Sequence, residues 1–115
     1  MIGAAIEVHR HLGPGFLETV YEEAMAVEMA IRGIGFERQV HIPVTYKGRL
    51  ISGPQIDLLV EGILVVELKA ITGFAPIHVA QVVSYLRAGA YQLGLLINFN
   101  VRMLKEGIRR VVSSG

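Results

Sequence analysis

The sequence predicts an α/β sandwich in the order α-α-β-β-β-α-β-β, with a mixed central sheet flanked by helices. Three observations predict it. Gln55 to Ala70 reads as two arms rich in Val, Ile and Leu, joined at Glu61-Gly62, the composition of paired strands. Within the second arm, Ile63-Leu64-Val65-Val66 is an unbroken apolar run, as expected of a strand covered on both faces. Gly94-Leu95-Leu96-Ile97-Asn98-Phe99 is another such run, reached only after a long helical stretch, so it is expected to lie parallel to the arm that carries Lys69.

Taken in order, Ile2 to Leu12 has helical spacing, with Ile2, Ala5, Ile6, His9 and Leu12 near one stripe, and Gly13-Pro14-Gly15 stops it. His9 and His11 are two apart, which on a helix turns them to different faces, so they are no paired metal site. His9 is read as a satisfied core histidine, at most a neighbour of a site. Phe16 to Arg32 is the second helix. Its stripe of Leu17, Val20, Ala24, Val27 and Ile31 is expected to face the core and Glu22, Glu23 and Arg32 to face water, with Gly33 closing the helix. Glu18, Tyr21 and Met25 fall on a line beside that stripe. A first-turn glutamate such as Glu18 by itself answers the positive end of the helix dipole.

Phe36 to Tyr46 reads as one strand, with Val40, Ile42, Val44 and Tyr46 at period two. Lys47-Gly48 turns the chain, Arg49-Leu50-Ile51 begins the return, and Gly53-Pro54 interrupts it. In the organising hairpin, Glu67 and Lys69 project from the same face. Whether Asp57 joins them depends on register. A two-residue turn at Glu61-Gly62 would set Asp57 opposite Val66. A three-residue loop, Glu61 to Ile63, sets it opposite Glu67, with Gly62 at the positive-φ position such loops use, and this is the register expected. Pro76 opens the third helix, with an apolar face of Ile77, Ala80, Val82, Val83, Ser84 and Leu86, and a second face of His78, Gln81 and Tyr85. Lys105-Glu106-Gly107 reads as a turn and Ile108 to Val112 as a closing strand.

A chain of 115 residues is expected to form one domain, residues 1–115. Hydrophobic residues make up 52%, which excludes a disordered chain and points to apolar surface covered by a partner subunit. With Val111-Val112 in an edge strand, a homodimer is expected. No apolar run reaches membrane-spanning length and no signal pattern follows Met1, so no membrane partner and a cytoplasmic setting are expected. The absence of cysteine rules out disulfides, thiolate zinc sites and cysteine nucleophiles. A net charge of +1 supplies no bulk basic field for nucleic acid. Only local groups remain: Arg38, Lys47 and Arg49, and Arg102, Lys105, Arg109 and Arg110.

Buried carboxylates need pairing, protonation or a metal. Asp57, nine residues, then Glu67-Leu68-Lys69 resembles the D…(D/E)-x-K core of the PD-(D/E)XK nuclease superfamily. Upstream, Gly15-Phe16-Leu17-Glu18-Thr19-Val20-Tyr21 resembles the signature of the GxxExxY family within it. Gln81-Val82-Val83-Ser84-Tyr85 is similar to the Q-x-x-x-Y element of RecB-like nucleases. The chain departs from the pattern ahead of Asp57: Pro54 stands three residues before it, and Gln55 stands where relatives often carry Arg.

The resemblance implies a restriction-endonuclease-like three-layer sandwich and a magnesium- or manganese-dependent phosphodiesterase acting on DNA or RNA. It implies Asp57, Glu67, the Leu68 carbonyl and Glu18 as metal ligands, with Glu18, Asp57, Glu67 and Lys69 catalytic. Tyr21, Gln81 and Tyr85 would serve substrate or the surrounding shell. Two other readings stand beside it. The charged triplet could be an ion network that fixes strand register, and the fold could serve as a non-catalytic nucleic-acid-binding or protein-interaction module.

Overall fold

A computed structural model describes residues 1–113. Helices α1 (Ile2–Leu12) and α2 (Glu18–Ile31) precede strands β1 (Phe36–His41), β2 (Val44–Tyr46), β3 (Arg49–Ile51), β4 (Gln55–Val60) and β5 (Leu64–Lys69). Helix α3 (Pro76–Gly89) crosses to β6 (Leu93–Asn98), and a 3-10 turn at Leu104–Gly107 leads into β7 (Ile108–Val112). The central sheet has the order β1-β4-β5-β6-β7 and is mixed: β5 and β6 are parallel, and the other neighbours antiparallel. The expected order of elements holds for this sheet. The chain adds a separate two-stranded sheet, β2-β3, between β1 and β4.

One face of the sheet carries α1 and α2 over a core that includes Tyr21, Met25, Met29, Leu58, Val66, Leu68, Ile97 and Phe99. The other carries α3 over Ile56, Leu59, Val65, Val82, Leu86 and Leu96. Gly94 lets α3 lie close, since a Cβ there would meet Val82 Cγ1 at 2.8 Å. Because β5 and β6 run parallel and β1 and β4 run antiparallel, the carboxyl ends of β1, β5 and β6 share one end of the sheet with the start of β4.

Three expectations need correction. Phe36 to Tyr46 is two strands, because Pro43 has no N–H to offer a ladder, and the chain leaves the sheet after His41. Ile42 still donates to the Pro54 carbonyl at 2.9 Å, a close approach that requires Gly53, whose Cβ would fall 1.8 Å from the Ile42 oxygen. The second correction is the buried face of α2. Tyr21, Met25 and Met29 are buried, while Leu17, Val27 and Ile31 are 77%, 62% and 72% exposed. The burial axis is rotated by one residue from the aliphatic stripe. Helix α1 is similar: Ala4, Ala5, Val8 and His9 face inward, and Ile2 and Ile6 stand exposed. Third, Ile77 of α3 is exposed, and Val82 and Leu86 carry its contact with the sheet.

Candidate active site

The hairpin that carries the charges turns through Glu61, Gly62 and Ile63, and its pairs are Val60 with Leu64, Leu59 with Val65 and Leu58 with Val66. This three-residue loop has Glu61 and Gly62 both at positive φ, 53° and 73°. Glu61 is held there by its own side chain, whose Oε1 accepts from the Gly35 N–H at 2.8 Å, and by its N–H, which donates to the Gly35 carbonyl. Continued by one step, the register sets Asp57 across from Glu67.

At that step the backbone ladder between β4 and β5 stops and side chains replace it. The Asp57 N–H donates to Glu67 Oε1 at 3.0 Å, and the Leu68 N–H donates to Asp57 Oδ2 at 2.8 Å. Each carboxylate therefore caps the opposite strand. The alternation of β4 is also broken here, since Leu58 packs beneath α1 and α2 whereas Ile56 packs beneath α3.

Glu67 is 6% exposed, and Asp57 is half-buried beside it. Burial, followed by the charge of Asp57, pushes Glu67 up from its ordinary 4.5 to about 7. Burial also raises Asp57, against the opposing pull of the Leu68 N–H and the Gln39 amide. Lys69 lowers both, by less than burial raises them, and it is not their ion-pair partner among the described residues. The ion pairs among the described residues are Glu7–Arg10, Glu7–His11, Glu28–Arg32 and Glu22–Arg38. The Lys69 ammonium instead reaches Gln81 Oε1 at 3.4 Å.

Helix α3 brings Gln81 and Tyr85 to the same place. Burial, then the charges of Glu67 and Asp57, raises the Tyr85 hydroxyl. Glu18 opens α2, and its charge is felt by Glu67, yet the described residues contain no group of three His, Cys, Asp or Glu side chains already gathered as a metal cage. Tyr21 makes no hydrogen bond to the carboxylates among the described residues. Its ring stacks on Phe99, and its hydroxyl donates to the Gly13 carbonyl at 2.6 Å and accepts from the Phe16 N–H, pinning the loop ahead of Glu18. His78 accepts from the Ala75 N–H through Nδ1 and so serves the start of α3. His9 donates to the Val101 carbonyl at 2.7 Å, as a core histidine would.

Three residues of this region carry no mark in the sequence reading, or carried the wrong one. Glu22, expected in water, is largely covered and binds Arg38 and Gln39. Gln39 itself reaches Asp57 Oδ1 at 3.2 Å. Asn98, 1% exposed, clamps the chain just beyond Lys69: its Oδ1 accepts from the Ile71 N–H and its Nδ2 donates to the Ile71 carbonyl. A polar residue inside an apolar run was the available signal for Asn98.

A sequence model of the PD-(D/E)XK nuclease superfamily matches residues 1–111. The chain belongs to the PD-(D/E)XK nuclease superfamily. Its five-stranded mixed sheet between helices is the restriction-endonuclease-like architecture of PD-(D/E)XK proteins, and superfamily membership points to a nucleic-acid substrate. No curated protein and no solved structure shows significant similarity to the chain. No helix among the described residues of this PD-(D/E)XK chain is long and apolar enough to cross a membrane.

Proposed function

We propose that the chain hydrolyses phosphodiester bonds of DNA or RNA with Mg2+ or Mn2+, and that it is a member of the GxxExxY family. The observation that carries the reading is the pair Asp57 and Glu67, crowded and desolvated while Lys69 is turned to Gln81. A register-fixing ion network would pair Lys69 with the carboxylates, and it does not. Two crowded carboxylates repel, and a divalent cation relieves both the repulsion and the burial cost. The donor set is hard oxygen, which suits Mg2+ or Mn2+.

Asp57, Glu67 and the Leu68 carbonyl would hold the ion, with Glu18 completing the set from α2. Bound there, the ion polarises the scissile phosphate and acidifies water. Lys69 holds the attacking water or neutralises charge developing on the phosphate, and Gln81 keeps its ammonium in place. Tyr85 stands on the same helix to contact substrate, and Tyr21 supports Glu18 by fixing the loop before it. The same proposal includes a homodimer, supported by the open edge of β7 and the exposed stripe of α2, and a cytoplasmic setting, supported by the absence of cysteine. That exposed stripe is also what favours the second reading, a non-catalytic interaction module.

Melting curves with and without Mn2+, together with cleavage of single- and double-stranded DNA and RNA, test the proposal. Mn2+ should raise the melting temperature of the parent protein, because an ion that binds only the folded state stabilises it. Asp57→Asn and Glu67→Gln should abolish that shift, and Lys69→Ala should keep it while losing cleavage. A parent protein with a metal shift but no cleavage of any substrate would favour the second reading. A parent protein with no metal shift and no cleavage would end the phosphodiesterase reading.

A further inference from the structure

Strand β1 is regular except at one residue. Its ladder with β4 pairs Arg38 with Leu58 and Val40 with Ile56, and between them Gln39 takes φ 51°. Glutamine is not a residue that favours the left-handed region, and a side chain there strains the backbone. The residue it would face across the ladder is Asp57.

The strain has a visible product. In this conformation one side-chain amide nitrogen donates to two carboxylates on different elements, Glu22 Oε1 of α2 at 2.6 Å and Asp57 Oδ1 of β4 at 3.2 Å. The other oxygen of each carboxylate is also held. Arg38 Nε and Nη2 both reach Glu22 Oε2 at 3.0 Å, and the Leu68 N–H reaches Asp57 Oδ2 at 2.8 Å. A continuous run of bonds, Arg38 to Glu22 to Gln39 to Asp57, thus joins the helix that carries Glu18 to the strand end that carries Asp57.

We infer that Gln39 is a positioning residue for Asp57, its left-handed backbone retained so that a single amide can fix the plane of the Asp57 carboxylate against Glu22. Oδ2 alone would leave that carboxylate free to swing about its bond to Leu68, and the Gln39 amide removes the freedom. Glu22, held from its other side by Arg38, is the anchor for the amide. The inference rests on the proposed metal site, since a fixed carboxylate plane matters where an ion must be met by two carboxylates at once. The competing account is that the kink only blunts β1 as an edge strand, a role in which the amide is irrelevant.

Gln39→Gly separates the two, because glycine keeps the backbone conformation without strain and deletes the amide. Calorimetric titration with Mn2+ and melting of the metal-free protein are the readouts. The variant should melt at or above the parent temperature and bind Mn2+ roughly tenfold more weakly, the scale of one hydrogen bond to a charged group. Glu22→Ala should show a similar loss, and the double variant should be no worse than either single one, as expected for residues acting in series. Should Gln39→Gly also lower the melting temperature, Gln39→Met decides: it fills a similar space without a hydrogen-bond donor and adds no charge, and it too must weaken Mn2+ binding. Parent-like Mn2+ affinity in Gln39→Gly or Gln39→Met overturns the inference and leaves the phosphodiesterase reading standing. A parent protein that binds no Mn2+ overturns both.

Discussion

Glu67 gives the metal-free protein a pH dependence of definite sign. Its carboxyl lies at about 7 in the folded state against an ordinary 4.5, so between those values the folded protein holds a proton that the unfolded chain has released. The contribution to stability is fully present below 4.5 and is lost as pH rises through about 7. Melting temperature should therefore fall across that window, and Glu67→Gln should flatten the fall. The pair also separates charge from hydrogen bonding. Asp57→Asn keeps an acceptor for the Leu68 N–H and removes a repelling charge, so the metal-free variant should be as stable as the parent or more so. Asp57→Ala leaves that N–H unsatisfied and should cost about 1–3 kcal/mol in denaturant titrations.

At the scale of elements, two residues hold the site end of the sheet together. Asn98 bridges the end of β6 to the chain leaving β5, and Asn98→Ala should destabilise by about 1–3 kcal/mol and lower cleavage, since it frees the segment next to Lys69. Gly53 seats the return from the β2-β3 hairpin against Ile42, and Gly53→Ala should cost at least about 1–3 kcal/mol by overpacking against backbone. Such elements differ in how openly the sequence declares them. The register of β4 and β5 was legible because Glu61-Gly62-Ile63 must form an odd loop if Asp57 and Glu67 are to face each other. The parallel β5-β6 pair was legible because a helix-length crossover leaves little choice. The buried face of α2 was not. Both of its neighbouring stripes are apolar, and tertiary packing chose Tyr21, Met25 and Met29 over the more aliphatic one. Gln39 was hidden for another reason: its left-handed backbone is fixed by two distant carboxylates, and nothing local announces it.

For the molecule as a whole, the exposed stripe of Leu17, Val27 and Ile31 is apolar surface a monomer would gain by covering. Light scattering at tens of micromolar should give a dimer mass, and Ile31→Lys should lower it if the stripe is the contact, whereas a monomer mass for the parent would remove the homodimer from the proposal. The replacement of backbone ladder by side chains at Asp57 and Glu67 has a consequence for descent. These two residues serve as a splice between strands as well as a candidate reaction centre, and folding holds a descendant only to an acceptor oxygen at each position, not to its negative charge. Among the described residues the Lys69 side chain is bonded only to Gln81, and it carries no part of that splice. An amide at either position would therefore keep the architecture without the charge, whereas an intact acidic pair with Lys69 beside it is a record of selection for charge and not for folding.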